Sequence, residues 1–183
     1  MTPALERNIA VGPRLVSASR SPVEVPAAAR RSIRSPWLGM VEWTTACEIC
    51  FPAGVPGFED HRRLIPVEVP SQRPIVYLQS AIAADVCFVL LPAFVIDPTF
   101  TLSLSDEEEE VLGLRSGEGK SPAIGEDVAC LALLTLSGDA VEADLGSPFV
   151  IGLKSSRGIQ CSVAAGQRRF VLSADGLWTP PCL

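Results

Sequence analysis

Apolar and polar residues alternate with a period of two in the stretch VEWTTACEI at residues 41–49. Such alternation is typical of an antiparallel strand with one buried face. Short apolar segments bounded by turn residues predict further strands at 62–67, 75–79, 86–91, 100–104, 128–136, 141–145, 149–154, 159–163 and 169–172. Because strands do not alternate with helices, the pattern predicts a mainly β protein, either a small antiparallel β-barrel or a sandwich-like barrel.

Two local signals complete the predicted architecture. Ser105 followed by Glu108 has the spacing of a capping box, and Gly113 can end a helix, so one short helix is predicted at residues 106–112. Residues 155–158 are predicted as a hairpin turn in which Gly158 takes a positive φ.

The first 36 residues differ in composition from the rest of the chain. They mix Pro, Ala, Ser and Arg without a helical or strand period, as in segments that cannot offset their ordering entropy. We therefore expect residues 1–36 to be a disordered extension and residues 37–183 to be a single β domain, which is long enough for one substantial core.

Charge separates the same two parts. Six arginines and two glutamates give residues 1–36 a net charge of +4, which leaves −10 for residues 37–183 of a chain whose formal net charge is −6. Surfaces that bind nucleic acid are rich in Lys and Arg, so the acidic body argues against nucleic acid as a direct ligand. It favours a basic protein partner, or simply solubility.

The apolar segments are too short for a membrane span. The longest run, residues 86–96, contains Pro92 and has 11 residues, whereas a spanning helix needs roughly 20. No secretory signal is expected, and the pair Arg30 and Arg31 is not followed by the apolar region of an export signal, because Glu42 interrupts it. We expect a cytoplasmic protein.

Thiol chemistry is the first alternative that the residues suggest. Cys47 and Cys50 have CxxC spacing, but an extended segment would point the two side chains to opposite faces and hold their Cα atoms roughly 10 Å apart. No second CxxC or CxxH motif completes a zinc site. The cysteines are therefore interpreted as structural, and no metal or cofactor is expected.

Catalytic motifs are also weak. His61 is the only histidine, and no serine lies in a G-x-S-x-G elbow. The segment Gly119-Lys120-Ser121 lacks the first glycine of a phosphate-binding loop at the required spacing, since position 114 is leucine. The sequence therefore predicts no enzyme, although an esterase that depends on His61 remains an alternative.

The most distinctive segment is FPAGVPGFED at residues 51–60. Gly54 and Gly57 allow backbone angles that other residues adopt at a cost, while two prolines fix φ between them. Phe51 and Phe58 are expected to anchor the two ends in a core. An exposed Phe58 would instead be an anchor for a partner, because buried aromatic residues dominate contact energetics.

This segment resembles the "FPEGIPGFE" motif of the FliW family. The resemblance continues in order through YLQS at 77–80 ("WLQS"), 100–114 ("LSDEDVELLGI" after a strand), 127–135 ("DVLVLVILT") and LGSPFVIGLKSSRGIQ at 145–160 ("NLLAPIVINLKNRKGKQ"). It covers about residues 37–172. The chain departs from the family pattern at three positions. Leu91 precedes Pro92 where the family has Asp or Asn before the proline, Asp144 replaces asparagine in "NL", and Gly152 replaces asparagine in "VIN".

The resemblance implies a non-enzymatic flagellar assembly factor with two protein partners. Such a protein binds cytoplasmic flagellin and antagonises the RNA-binding translational repressor CsrA, so that secretion of flagellin is coupled to its synthesis. A monomer is expected when neither partner is bound. The candidate contact residues come from the segment at 51–60, from the acidic helix and from one motif position: Phe58, Glu59, Asp106, Glu107, Glu108, Glu109 and Asp144.

Two further classes stay open at this point. A FliW-like protein-binding module unconnected with flagella would lack flagellin and csrA genes in its neighbourhood. A thiol-dependent metal or redox protein would hold about one equivalent of zinc, which Cys50→Ser would release.

Overall fold

The structure, a computed structural model, describes residues 29–114, 121–163, 169–173, 176 and the backbone of 178–179. The strands are β1 (Arg30–Ser35), β2 (Gly39–Thr44), β3 (Ile49–Cys50), β4 (Arg63–Glu68), β5 (Val76–Ser80), β6 (Cys87–Pro92), β7 (Val128–Ser137), β8 (Ala140–Gly152), β9 (Arg157–Gln160), β10 (Arg169–Leu172) and β11 (Trp178–Thr179). The α-helices are α1 (Ala93–Ile96) and α2 (Asp106–Leu112), and 3-10 turns lie at Thr45–Cys47 and Pro70–Gln72.

Seven strands close into a barrel. Strands β3 to β8 pair with their neighbours in chain order, and β9 pairs with both β8 and β3, which completes the ring. All of these pairings are antiparallel except β3 with β9. Strands β10 and β11 extend the sheet beyond β8, and β1 and β2 form a separate hairpin. The predicted mainly β barrel is therefore confirmed.

The barrel strands bury residues on both faces. Leu64, Leu78, Leu90 and Phe149 belong to one core cluster, inside the barrel. Alternate residues of β6, β7 and β8 belong to a second cluster, which α1 and α2 cover from outside. The hairpin covers a third cluster around Ile65. Burial on both faces explains why several strands read as continuous apolar runs.

Two predicted strands are wrong. The alternation at 41–49 continues only through β2, because Thr45–Cys47 forms a 3-10 turn before β3 begins. Cys47 therefore lies at the end of a turn, and the extended geometry assumed for Cys47 and Cys50 does not apply. Residues 100–104 are not a strand, although Leu102 is buried and its neighbours at 101 and 103 are exposed. Their period of two reflects one-sided burial and not membership of a strand.

The predicted strands at 141–145 and 149–154 are one strand, β8. Its register against β7 shifts between Leu131, which faces Phe149, and Leu133, which faces Asp144. Residues 145–148 of β8 therefore lie opposite a single residue of β7, as in an extended β-bulge. The sequence break at Gly146 marks this bulge, which does not end the strand.

The predicted extension at 1–36 is corrected at its end. Residues 1–28 lie outside the described residues, but residues 30–35 form β1 and pair with β2 along its whole length. The strand carries three arginines, and only Ile33 and Ser35 are shielded from solvent. Its apolar signal is therefore too weak to show in the sequence, and the folded domain begins before residue 37.

The helix prediction is confirmed residue for residue. Ser105 Oγ accepts from the backbone N–H of Glu108 at 3.2 Å, and the Glu108 carboxylate accepts from the N–H of Ser105 at 2.8 Å. Gly113 ends α2 in the left-handed region at φ +67°. The capping box at the start of the helix and Gly113 at its end thus act as predicted.

The predicted hairpin turn is displaced. The turn after β8 spans 153–156, and Ser156 takes the positive φ of 53°. Gly158 lies inside β9, opposite Ile151. A Cβ at position 158 would overlap with the ring of Phe51. Gly158 is therefore required by packing against Phe51, and its turn-forming ability is not used.

Candidate protein-binding surface

Residues 51–61 form a compact crossing between β3 and β4. Three tight turns follow one another: the N–H of Gly54 donates to the carbonyl of Phe51 at 2.9 Å, that of Phe58 to Val55 at 2.7 Å, and that of His61 to Phe58 at 2.9 Å. Each of these hydrogen bonds closes a turn within the segment. The crossing therefore presents its side chains from a fixed backbone.

The two glycines of the crossing have positive φ, as predicted. Gly54 lies at φ +76° and Gly57 at φ +81°. A Cβ at position 54 would overlap with the backbone of Glu59, whereas one at position 57 would meet nothing within 4 Å. The N–H of Gly57 donates to Glu59 Oε1 at 2.8 Å. This hydrogen bond lowers the pKa of Glu59, an exposed carboxyl.

Phe51 is a core anchor, but Phe58 is not. Phe51 is fully buried, whereas Phe58 is 42% exposed. The Phe58 ring packs edge-on against Phe88, with ring centroids 5.3 Å apart, and Phe88 contacts Phe149 at 5.5 Å. Phe149 in turn contacts Phe51 at 5.9 Å. Phe58 is thus the solvent-exposed end of a row of four aromatic rings, which corresponds to the partner-anchor alternative.

Ser80 ties the crossing to the loop between β5 and β6. Its buried Oγ accepts from the N–H groups of Ile82 and Ala83, both at 3.2 Å, and lies 2.9 Å from His61 Nδ1. Ser80 Oγ and His61 Nδ1 therefore share a hydrogen bond whose direction is set by the tautomer of the ring. Although this distance suits a catalytic pair, a nucleophile must reach its substrate, and Ser80 is fully buried.

Gln79 fixes the same loop. The two hydrogens of its Nε2 are shared among the carbonyls of Ala83 at 2.9 Å, Val86 at 3.0 Å and Ala84 at 3.2 Å, and the whole side chain is buried. Gln79 and Ser80 of the motif at 77–80 therefore fix the backbone of the loop at residues 81–86 by hydrogen bonds. Ile82 is held at the tip of this loop with 57% of its surface exposed. Neither the role of Gln79 in fixing this loop nor the exposure of Ile82 was predicted from the sequence.

Helix α2 presents its carboxylates to solvent. Asp106 and Glu107 are exposed at its start, whereas Glu108 and Glu109 are half-buried. The pKa of Glu107 is lowered, mainly by a backbone hydrogen bond and also by the Ser105 side chain. The four candidate residues of the helix therefore divide into two exposed ones, Asp106 and Glu107, and two half-buried ones, of which Glu108 belongs to the capping box.

The C-terminal end of α2 is held by the turn before β9. Ser155 Oγ donates to the carbonyl of Leu112, and the Arg157 guanidinium donates to the carbonyl of Val111 at 3.3 Å. Gly152 makes room for this approach, since a Cβ there would overlap with Ser155 and Leu112. Glycine at position 152, where the family commonly has asparagine, therefore allows the end of α2 to pack closely against the turn before β9.

The candidate residues fall into two groups. Arg157, the first residue of β9, contacts the end of α2 and pairs with Cys50 of β3, which directly precedes the crossing. The Cys50 N–H also donates to the carbonyl of Ser156, in the turn before β9, at 2.9 Å. Asp144 lies elsewhere: its carboxylate accepts from the N–H of Gly146 at 2.7 Å, within the bulge of β8. Among the described contacts, none joins Asp144 to the crossing or to α2.

Small-molecule and metal sites find little support. A groove of about 230 Å³ lies between α2 and the turn before β9, lined in part by Glu109, Asp127 and Lys154, and is smaller than the roughly 300–1,000 Å³ of typical ligand pockets. A second groove of about 510 Å³ is lined by Asp106, Glu107 and Glu110 with Gly113 and Leu114, whereas ligand pockets are lined mostly by apolar and aromatic side chains. In the described residues, no group of three or more His, Cys, Asp or Glu side chains converges as metal ligands would.

The described cysteines 47, 50, 87, 130 and 161 are free thiols. Burial raises the pKa of Cys87 and of Cys161 to about 11, and that of Cys130 to about 12. Because the thiolate is the reactive and metal-binding form, these three thiols are poor nucleophiles at neutral pH. Separately, no helix within the described part of the chain has the length and apolarity to cross a membrane.

The fold and surface define a small closed β-barrel with an acidic helix on its outside and an exposed aromatic residue on a fixed crossing. The family described as FliW protein matches residues 32–171. This chain belongs to the FliW family. The match begins within β1, in agreement with the corrected start of the domain.

Relatives and a solved structure agree with this assignment. The flagellar assembly factor FliW of Azoarcus sp. (strain BH72) is 33% identical over 136 residues, which cover 70% of this chain and 88% of that protein. The one from Syntrophomonas wolfei is 29% identical over 130 residues, covering 70% and 78%. A crystal structure of the flagellar assembly factor FliW superimposes with a TM-score of 0.65 and 27% identity, over 75% of this chain and 92% of the other.

Proposed function

We propose that this protein is a cytoplasmic flagellar assembly factor that binds flagellin and antagonises the repressor CsrA, without catalysing a reaction. The observation that carries the proposal is the exposed Phe58, held on a fixed crossing in a member of the FliW family. The relatives named above as flagellar assembly factors support the cellular role.

The crossing offers a preorganised anchor for a protein partner. The Phe58 ring already packs against Phe88, and 42% of its surface is exposed. A partner can therefore bury this surface without the entropy cost of ordering the backbone of the crossing. Exposed aromatic residues that become buried are frequent hot spots, worth about 2 kcal/mol or more when truncated. Glu59 supplies an ionised carboxylate beside this anchor, as its lowered pKa indicates.

Helix α2 adds electrostatic attraction. A repressor that binds RNA needs Lys and Arg to neutralise phosphates, and α2 presents carboxylates at Asp106, Glu107 and Glu110 to solvent. Such a field raises the association rate over about 8 Å at physiological salt. We expect one partner to contact both α2 and the crossing, because Arg157 touches the end of α2 and pairs with Cys50, directly before the crossing.

Binding of two partners couples flagellin secretion to synthesis by mass action. Flagellin in the cytoplasm occupies the protein, and the repressor then stays free to block flagellin messenger RNA. Once flagellin is exported, the protein is released and sequesters the repressor. Asp144, which lies apart from the other candidate residues, is proposed as a contact for a second partner or for a wider footprint.

The anchor is tested by titration calorimetry of the full chain with the cognate repressor and with flagellin. Phe58→Ala should weaken binding of at least one partner tenfold or more. Phe94→Ala is the matched control, because Phe94 has the same exposed fraction of 42% and lies in α1. Equal affinities for the two variants would show that Phe58 is not the anchor.

The helix is tested by charge removal and salt. Asp106→Asn with Glu107→Gln should slow association with the repressor several-fold at low salt, and the difference should shrink at 1 M salt. Glu126→Gln with Asp139→Asn removes the same charge from exposed positions elsewhere and should have little effect. Failure of the wild-type chain to bind either partner would favour a FliW-like interaction module unconnected with flagella.

A further inference from the structure

The outer face of the β1–β2 hairpin is a second surface, formed by residues other than the candidate contact residues discussed above. The cross-strand pairs of this face are Arg30 with Thr44, Ser32 with Glu42, and Arg34 with Met40. The opposite face of the hairpin is committed to the fold, where Ile33, Val41 and Trp43 pack on Ile65. Apart from Thr44, whose hydroxyl lies 3.5 Å from Cys47 Sγ, no side chain of the outer face has a hydrogen bond or ion pair among the described contacts.

Large apolar side chains are exposed on this hairpin. Met40 is 58% exposed and lies directly opposite Arg34. Trp37, in the tight turn between the strands, is 71% exposed. Trp, Met and Arg are the residues that protein–protein interfaces enrich.

The backbone edge of β1 is also available. Within the described residues β1 pairs with β2 alone, so half of its N–H and C=O groups face away from the hairpin. An open strand edge is a template for another strand. The edge, the arginines and Trp37 lie on one continuous element of 15 residues, from Arg30 to Thr44.

The charge of the hairpin selects the occupant. Arg30, Arg31 and Arg34 are exposed within five positions of a chain whose net charge is −6. Pairing of two β1 edges would bring six arginines together, which disfavours a second copy of this chain. Nucleic acid is disfavoured as well, because residues 37–183 carry a charge of −10 and would repel phosphates.

We propose that the hairpin binds an extended acidic segment of a partner protein, which adds to β1 as a third strand. Alternate carboxylates of the segment lie opposite Arg30 and Arg34, and an apolar residue packs against Met40 and Trp37. Backbone hydrogen bonds supply affinity, and the arginines supply the choice of sequence. This surface shares no residue with the proposed flagellin and repressor contacts, so the two proposals stand or fall separately.

Fluorescence anisotropy with the full chain tests the charge selection. The probe is a labelled 12-residue peptide of alternating Glu and Thr with one central Phe, and its counterpart has Lys in place of Glu. Arg30→Glu with Arg34→Glu should weaken binding of the acidic probe at least tenfold. Arg73→Glu with Lys154→Glu makes the same charge change at exposed positions elsewhere and should change affinity less than twofold.

Two further measurements complete the test. Trp37→Ala should weaken the acidic probe several-fold, and hydrogen exchange at the β1 amides should slow when the probe is bound. Equal binding of the Lys probe, unchanged exchange in β1, or a preference for a 12-nucleotide oligothymidylate or for vesicles of anionic lipid would each overturn the proposal. In those cases the arginines serve only to keep the strand edge from pairing.

Discussion

Replacing each glycine of the crossing with alanine separates the two reasons why glycine is needed there. Gly54→Ala and Gly57→Ala impose nearly the same backbone strain, since the residues have φ of +76° and +81°. They differ in space, because only the Cβ at position 54 overlaps with the backbone of Glu59. The pair is therefore a matched comparison within one loop.

The expected magnitudes follow from this difference. The left-handed conformation costs a non-glycine residue roughly 1–2 kcal/mol, so Gly57→Ala should lower the free energy of unfolding by about that amount. Gly54→Ala adds the cost of forcing packed atoms apart, typically about 1–3 kcal/mol. Its total should be about 2–5 kcal/mol. The displaced backbone is that of Glu59, which directly follows Phe58, so the ring of Phe58 should also shift from Phe88.

Urea unfolding followed by circular dichroism measures both free energies, and a change of midpoint at constant slope reports stability alone. Partner affinity provides the second readout. Gly57→Ala should bind nearly as the wild type does, whereas Gly54→Ala should lose affinity at temperatures where it is still folded. If the two variants lose equal stability, the close approach of Gly54 to Glu59 is not what fixes the crossing.

Other predictions concern contacts that hold the loops and the thiols. Ser80→Ala removes the partner of two backbone N–H groups and of His61, so urea unfolding should show a loss of about 1–3 kcal/mol; an unchanged midpoint would contradict this role. Ser155→Ala leaves a carbonyl of α2 without its donor, and hydrogen exchange in α2 should accelerate while the barrel amides keep their rates. With a thiol reagent at pH 7, the exposed Cys50 should react before Cys130, and labelling of both at one rate would refute the burial. Because the folded-state pKa of Cys130 is raised to about 12, its contribution to stability is full below the ordinary thiol pKa near 9 and is lost as pH rises toward 12, so the free energy of unfolding should fall more steeply there than in Cys130→Ala.

Local signals made α2 predictable. Ser105, Glu108 and Gly113 act within or next to the helix that they bound, so the sequence contains all the information required. Barrel strands were also located to within a residue or two where apolar residues cluster, as in β5 and β6. The errors lie where a residue's role depends on distant parts of the chain.

Gly158 shows why such roles escape a single sequence. Its position after two serines and an arginine suggests a turn. Glycine is required there, however, because a Cβ would overlap with the ring of Phe51. Likewise, Ser80 joins the crossing across 19 positions, and no local pattern announces that pair. The strand β1 was missed because its stability depends on pairing with β2 and not on its own apolar residues.

The candidate surface was predictable only in part. The motif at 51–60 indicated a special backbone, but whether Phe58 is buried or exposed depends on how Phe88 and Phe149 fill the barrel. The bounds of α2 and its cluster of carboxylates were both predicted from the sequence. Asp144 was chosen from a motif alone, and its hydrogen bond to Gly146 within the bulge places it apart from the other candidates.

The proposed control of the repressor is tested by measuring how much flagellin messenger RNA the cognate repressor retains when this chain is added. The account predicts that the protein releases the RNA, that equimolar flagellin restores retention, and that Phe58→Ala impairs at least one of these effects while Phe94→Ala impairs neither. If the repressor keeps its RNA at all concentrations of the protein, with or without flagellin, the account is contradicted.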